Sequence, residues 1–205
     1  MTQVFEPLLH PVKIVALRPT QMTLGYREVE RKRVEWRKRA EDDGPDYLGR
    51  HMIPAVLGPG ARHYVVDQHH LVRALHDEGV AHVLVSLVAD LSKLDKPSFW
   101  RFMDKRNWLH PFDAEGKRQP YHALPGKIGD LADDPYRSLA GELRRSGGYS
   151  KVETPYSEFL WADFLRRRIS RKLVEKDFER AVGKALHLAH DQAARFLPGW
   201  CGPTA

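Results

Sequence analysis

His69 and His70, with Asp67, Gln68 and Arg73 around them, stand where the run Tyr64-Val65-Val66 gives way to helical spacing at Leu71, Ala74 and Leu75. Asp67 is a good N-cap, which puts both histidines in the first helical turn. A helix start offers backbone N–H groups and a partial positive charge, the natural seat for a phosphate or carboxylate. Two imidazoles there, and Arg73 a turn further on, deepen that site. Anion binding is therefore the chemistry expected. Neighbouring helical residues point about 100° apart, so one histidine is expected to face the site and the other to pack.

The elements that must position this turn alternate. Val12–Leu17 reads as a strand, and the pattern from Leu24 to Ala40 is helical, with Asp42-Asp43-Gly44-Pro45-Asp46 as a turn. Ile53–Leu57 is a strand that Gly58-Pro59-Gly60 reverses into His63–Val66. Gly79 is a plausible helix end before a strand at Val83–Val88. Beyond Leu91 the signals are helical. Pro97 opens one helix, with Phe99, Trp100, Phe102 and Met103 as packing residues, and residues 106–129 are irregular. Asp134-Pro135 and Thr154-Pro155 each read as a cap followed by proline at the first helical position, and a last helix carries Phe178, Ala181, Ala185 and Ala189 on one face.

The chain has 205 residues, 42% of them hydrophobic and five of them tryptophan, enough for one good core with a helical annex. No apolar run approaches the ~20 residues that span a bilayer. Residues 1–6 lack the basic and apolar regions of a signal peptide. Cys201 is the single cysteine, which excludes an internal disulfide and a cysteine-based zinc cage. A cytoplasmic setting without a membrane partner is expected. The net charge of +6 favours anionic partners: a nucleotide, nucleic acid or an acidic metabolite. Two basic clusters, Arg31-Lys32-Arg33 with Arg37-Lys38-Arg39 and Arg166-Arg167-Arg168 with Arg171-Lys172, read first as solvated helix faces.

The series Leu17-Arg18-Pro19-Thr20-Gln21, Gly25-Tyr26-Arg27-Glu28-Val29, Ile53-Pro54-Ala55-Val56, Val66-Asp67-Gln68-His69-His70 and Arg73-Ala74-Leu75 resembles the ParB-like nuclease superfamily, above all its stand-alone ParB-like nuclease group. The likeness covers roughly residues 8–90, and the block from Gly147-Gly148-Tyr149 to Phe159–Leu165 is similar to the same group. The superfamily includes chromosome-partitioning proteins, sulfiredoxins and a free-serine kinase. The resemblance implies a small α/β fold (α+β) with a mixed sheet of ParB/sulfiredoxin type over residues 1–92. A mainly helical region over 93–205 would pack on it and close the site.

The resemblance also implies that Asp67, Gln68, His69 and His70 contact the phosphates of a nucleotide, ATP, ADP or CTP. Where members carry Asp-Gly-His-His-Arg this chain has Gln68 and Leu71, which limits backbone approach to a phosphate. Arg73 replaces the lost arginine only if it reaches back along the helix. Gln68 stands where a sulfiredoxin needs its cysteine, so peroxiredoxin repair is excluded. Glu28 falls in a segment where relatives keep catalytic or phosphate-binding residues, and a carboxylate near a γ-phosphate could serve as general base. Its bland alternative is an i,i+4 partner for Lys32. Arg18 and Arg27 could clamp phosphate oxygens. Mg²⁺ arriving with the nucleotide would find Asp67 as its carboxylate, whereas no histidine spacing suggests zinc.

Phosphoryl transfer or phosphoester hydrolysis is thus expected, with Glu28, His69 and His70 as catalytic groups and a nucleotide or phosphorylated small molecule as partner. The alternatives are DNA binding through the basic helices without catalysis, and a small-metabolite enzyme without nucleotide dependence. No helix-turn-helix or dinucleotide glycine fingerprint occurs.

Overall fold

The strand-to-helix switch expected after Val66 lies at one side of a mixed five-stranded sheet. The structure is a computed structural model that describes residues 10–203; residues 1–9, read above for the lack of a leader sequence, lie outside it. The strands are β1 (His10–Lys13), β2 (Arg18–Pro19), β4 (Ile53–Gly58), β5 (Arg62–Val65) and β6 (His82–Asp90), in the order β1-β6-β4-β5-β2. Pairings alternate: β1–β6 and β4–β5 are antiparallel, whereas β4–β6 and β2–β5 are parallel. A separate two-stranded pair joins β3 (Thr23–Leu24) to β7 (Ala132–Asp133). The fold is α/β, as expected.

Local chemistry explains the strands. Ile53 and Ala55 of β4 are buried, and so are Val56 and Gly58, which breaks simple alternation. The register against β6 slips between Ala55 and Val56, passing over Val88. One extra residue on the partner strand changes which face each side chain takes. The Val12–Leu17 segment is strand only to Lys13; a 3₁₀ turn over Ile14–Ala16 follows, and its buried Ile14 donates an N–H to the Ala81 carbonyl.

Helix α1 spans Tyr26–Arg50 and continues through Gly44-Pro45, where a turn was expected. Proline there costs one main-chain bond, a penalty of about 3 kcal/mol. Packing on both sides of the breaker outweighs it. Tyr47 is 1% exposed, its ring 5.5 Å from Trp36 and stacked on His51 at 4.1 Å. Helix α2 (His69–Asp77) buries Leu71, Val72, Ala74 and Leu75, an apolar stripe at helical spacing. Gly79 closes it at φ +74°, in the left-handed region that glycine enters freely.

Two compact units divide the chain. The first comprises residues up to Thr23, Val29–Asp113 and Lys117–Ala132. It holds the sheet, α2 and α3 (Lys96–Lys105), which Asp95 caps by accepting the Ser98 N–H at 2.8 Å. Sequence placed the boundary after residue 92. The unit instead takes in α3 and most of the irregular stretch, because Phe99, Met103 and Leu109 share a core cluster with Val56 and Tyr64.

The second unit comprises Leu24–Glu28, Ala114–Gly116 and Asp133 onward. Its helices are α4 (Pro135–Arg145), α5 (Ser157–Arg166), α6 (Arg171–Lys176) and α7 (Phe178–Ala189), around Leu139, Leu143, Trp161, Leu165, Ala181 and Ala185. Asp134 caps α4 as read, accepting the Tyr136 N–H at 3.0 Å. Thr154-Pro155 does not cap α5: Tyr156 does, in the left-handed conformation and without a side-chain bond. Tyr149, Trp161 and Phe164 are core residues.

Candidate functional site

The turn after β5 is built differently from its reading. Helix α2 starts at His69 and its cap is Gln68, at φ +61° and without a side-chain capping bond; Asp67 lies one residue earlier, exposed. Asp67 uses Oδ1 to accept the Gln68 N–H at 2.7 Å. Gln68 thus occupies a left-handed position that suits glycine, at a cost of roughly 1–2 kcal/mol for a side-chain-bearing residue. Its amide offsets part of that by donating from Nε2 to the Met52 carbonyl at 2.8 Å.

Side chains at the turn do not converge on an anion. His69 is 6% exposed, and its Nε2 accepts the Thr20 N–H at 3.2 Å, which puts the proton of the neutral ring on Nδ1. Thr20 is itself buried and donates its hydroxyl to the Val65 carbonyl at 2.7 Å. His69 therefore ties the helix start to the loop after β2, the packed member of the histidine pair; His70 is half-buried. Arg73 does not reach back. Its Nε donates to both Asp77 oxygens at 2.9 Å, and Nη1 donates to the Leu131 carbonyl at 2.9 Å.

Glu28 and Arg27 lie in the second unit. Glu28 pairs with Arg145 at 2.6 Å and not with Lys32, which binds Glu35. Arg27 rests its guanidinium 3.8 Å from the Phe178 ring centroid, beside a cavity of about 210 Å³ that Tyr26, Asp133 and Glu175 also line. Burial holds Asp133 above the ordinary carboxylate range. No group of three or more His, Cys, Asp or Glu among the described residues is arranged to hold a metal. Asp67, expected to meet Mg²⁺ carried by a nucleotide, is exposed and uses Oδ1 on the Gln68 N–H.

Arg18 meets other cations instead. In the first unit a cavity of about 330 Å³ is walled by Arg18 from β2, Arg62 from the start of β5, Lys96 from the start of α3, and His122. Its apolar wall is a ring cluster: Phe99 lies 4.7 Å from Tyr64 and 4.9 Å from Trp100, and Trp100 stacks on Tyr121 at 6.1 Å. Asp104 fixes Tyr121 by accepting its hydroxyl at 2.8 Å, and Arg118 binds the same carboxylate. Gly58 permits the cluster, because a Cβ there would come within 2.6 Å of the Tyr64 ring.

Arg18 donates from Nη1 to the Gly126 carbonyl, which orients it, and leaves Nε buried without a partner. No carboxylate lines this cavity, and among the described residues none pairs with Arg18, Arg62 or Lys96. The arrangement can hold a multiply charged anion that carries a flat ring. Arg62, Lys96 and Tyr121 escaped the sequence reading and Trp100 was read only as a packing residue, since β5, α3 and the stretch after it share no motif spacing. The one available signal was cationic residues placed where β5 and α3 begin.

The basic clusters are neutralised in part within the chain. Arg33 and Arg37 bind Glu78 at 2.6 and 2.7 Å, Arg166 binds Asp134 at 2.5 Å, and Arg171 binds Glu175 at 2.7 Å. No helix among the described residues is long and apolar enough to cross a membrane.

The comparisons agree with this architecture. The chain is similar to protein Atu1540 from Agrobacterium tumefaciens, whose crystal structure matches 98% of this chain and 100% of its own, at 53% identity and a TM-score of 0.92. No curated protein matches significantly. The sequence profile of the family described as "Putative ParB-like nuclease" matches residues 10–167, which takes in the sheet, the turn and the cavity of the first unit, and the chain belongs to that family.

Proposed function

We propose that this protein binds a nucleotide or a comparable ring-bearing phosphate ester in the cavity of its first unit. The observation that carries the reading is the unpaired cation set, Arg18, Arg62 and Lys96, facing a wall of aromatic rings with no carboxylate among them. Cations left without carboxylates attract phosphate strongly, and guanidinium forks suit its oxygens. A volume of about 330 Å³ lies at the low end of ligand cavities, which favours a mononucleotide over a dinucleotide. Magnesium would enter bound to the phosphates, because the wall supplies no carboxylate of its own. Phosphoryl transfer or hydrolysis requires a base at the ligand, and the wall of the cavity supplies no carboxylate; Glu28 is paired with Arg145. The reading therefore stops at binding. Pairing of the basic helices with their own carboxylates weighs against DNA as the main partner.

The test is calorimetric titration with ATP, ADP, CTP and the monophosphates, with and without magnesium. Arg62→Gln and Lys96→Gln should each weaken binding about tenfold or more, the worth of one charged hydrogen bond. Absence of binding by every nucleotide, or full affinity in both variants, refutes the site.

A further inference from the structure

The cavity of the second unit has a different charge pattern from the first. Its wall carries one cation and one anion whose partners are incomplete. Arg27 stacks on Phe178 and, among the described residues, pairs with no carboxylate. Asp133 accepts the Tyr26 N–H through Oδ1 at 2.9 Å and pairs with no cation there. Glu175, on the same wall, is already bound by Arg171 at 2.7 Å. Asp133 is half-buried and feels Arg171 and Arg27 only through space, without an ion pair to either, whereas Arg27 is exposed at the cavity's rim, so a ligand can reach the guanidinium and complete the carboxylate.

We infer that this cavity binds a small zwitterion of amino-acid size, its carboxylate on Arg27 and its ammonium on Asp133. The volume of about 210 Å³ falls below the usual range for drug-sized ligands and suits such a molecule. Tyr26, Val174 and Phe178 supply apolar wall for a hydrophobic side chain. Local contacts place both charges. The Tyr26 N–H holds the Asp133 carboxylate, the Arg27 N–H anchors the start of α1 on Ser138 Oγ at 3.2 Å, and the Phe178 ring seats the Arg27 guanidinium. Burial raises the affinity of Asp133 for a positive partner, because its charge is poorly solvated.

Calorimetry on the full chain tests this with L-leucine, 4-methylpentanoate (no amine) and isoamylamine (no carboxylate), followed by the other free amino acids. L-Leucine should bind about ten- to a hundredfold more tightly than either singly charged analogue. Arg27→Gln should bring leucine down to the level of isoamylamine, and Asp133→Asn down to that of 4-methylpentanoate, while Arg27→Lys retains part of the affinity. Equal binding of zwitterion and analogues, no binding by any amino acid, or wild-type affinity in Arg27→Gln each overturns the inference. Should a variant melt abnormally, the three-ligand comparison on the unaltered chain decides alone. Nucleotides do not enter this test, so its outcome is independent of the first cavity.

Discussion

Replacing Glu78 with glutamine should destabilise the protein in a pH-dependent way. Glu78 is the residue that ends α2, where the helix dipole disfavours a negative charge. Arg33 and Arg37 of α1 reverse that: Arg33 Nε donates to Oε1 at 2.6 Å, and Arg37 donates from Nε and Nη2 at 2.9 and 2.7 Å. The Arg37 fork, followed by Arg33, holds the Glu78 carboxyl down at about 2 from an ordinary 4.5. At about 1.4 kcal/mol per tenfold change in proton affinity, that gap sets a ceiling of about 3 kcal/mol. Arg37 is 47% exposed, so water screens much of it and about 1–2 kcal/mol is expected. For a chain of this length that lowers the melting temperature by about 2–8 °C. The sign follows from the direction of the shift. A depressed carboxyl contributes fully above its unfolded value and loses that contribution as pH falls from 4.5 towards 2. Wild type and Glu78→Gln should therefore differ at pH 7 and converge near pH 2 in thermal melts followed by circular dichroism. Equal melting at pH 7, or a gap that persists near pH 2, refutes the reasoning.

Two further outcomes separate the turn from the cavity. Thr20→Val removes a buried hydroxyl that donates to Val65 and should cost about 1–2 kcal/mol, read as a lower denaturant midpoint, while nucleotide affinity stays unchanged. Gly58→Ala forces a methyl against the Tyr64 and Phe99 rings, should cost about 1–3 kcal/mol, and should weaken nucleotide binding because a displaced ring narrows the cavity.

The regular elements were legible where a local rule decides them. The Asp134-Pro135 start, the Gly79 stop and the α2 stripe depend on residues within one turn of each other. Rules failed where distant packing competes with local propensity. Tyr47 and Trp36 carry α1 through Gly44-Pro45 against two strong breakers. Around the turn, the sequence revealed which residues gather but not which way they point. His69 turns inward because Thr20, 49 residues away, offers it an N–H, and Arg73 turns forward because Asp77 lies at i+4. Arg62 and Lys96 carried no pattern, since a pocket assembled from β2, β5 and α3 leaves no spacing to read.

The borders of the large sheet bear on how this protein behaves when crowded. Its outermost members are β1, four residues long with Pro11, and β2, two residues long and ending in Pro19. Proline withholds a donor, and so short a ribbon offers a stranger almost nothing to zip onto. Main-chain pairing between copies at either flank of the described sheet is therefore disfavoured, and contacts through side chains are the expected alternative.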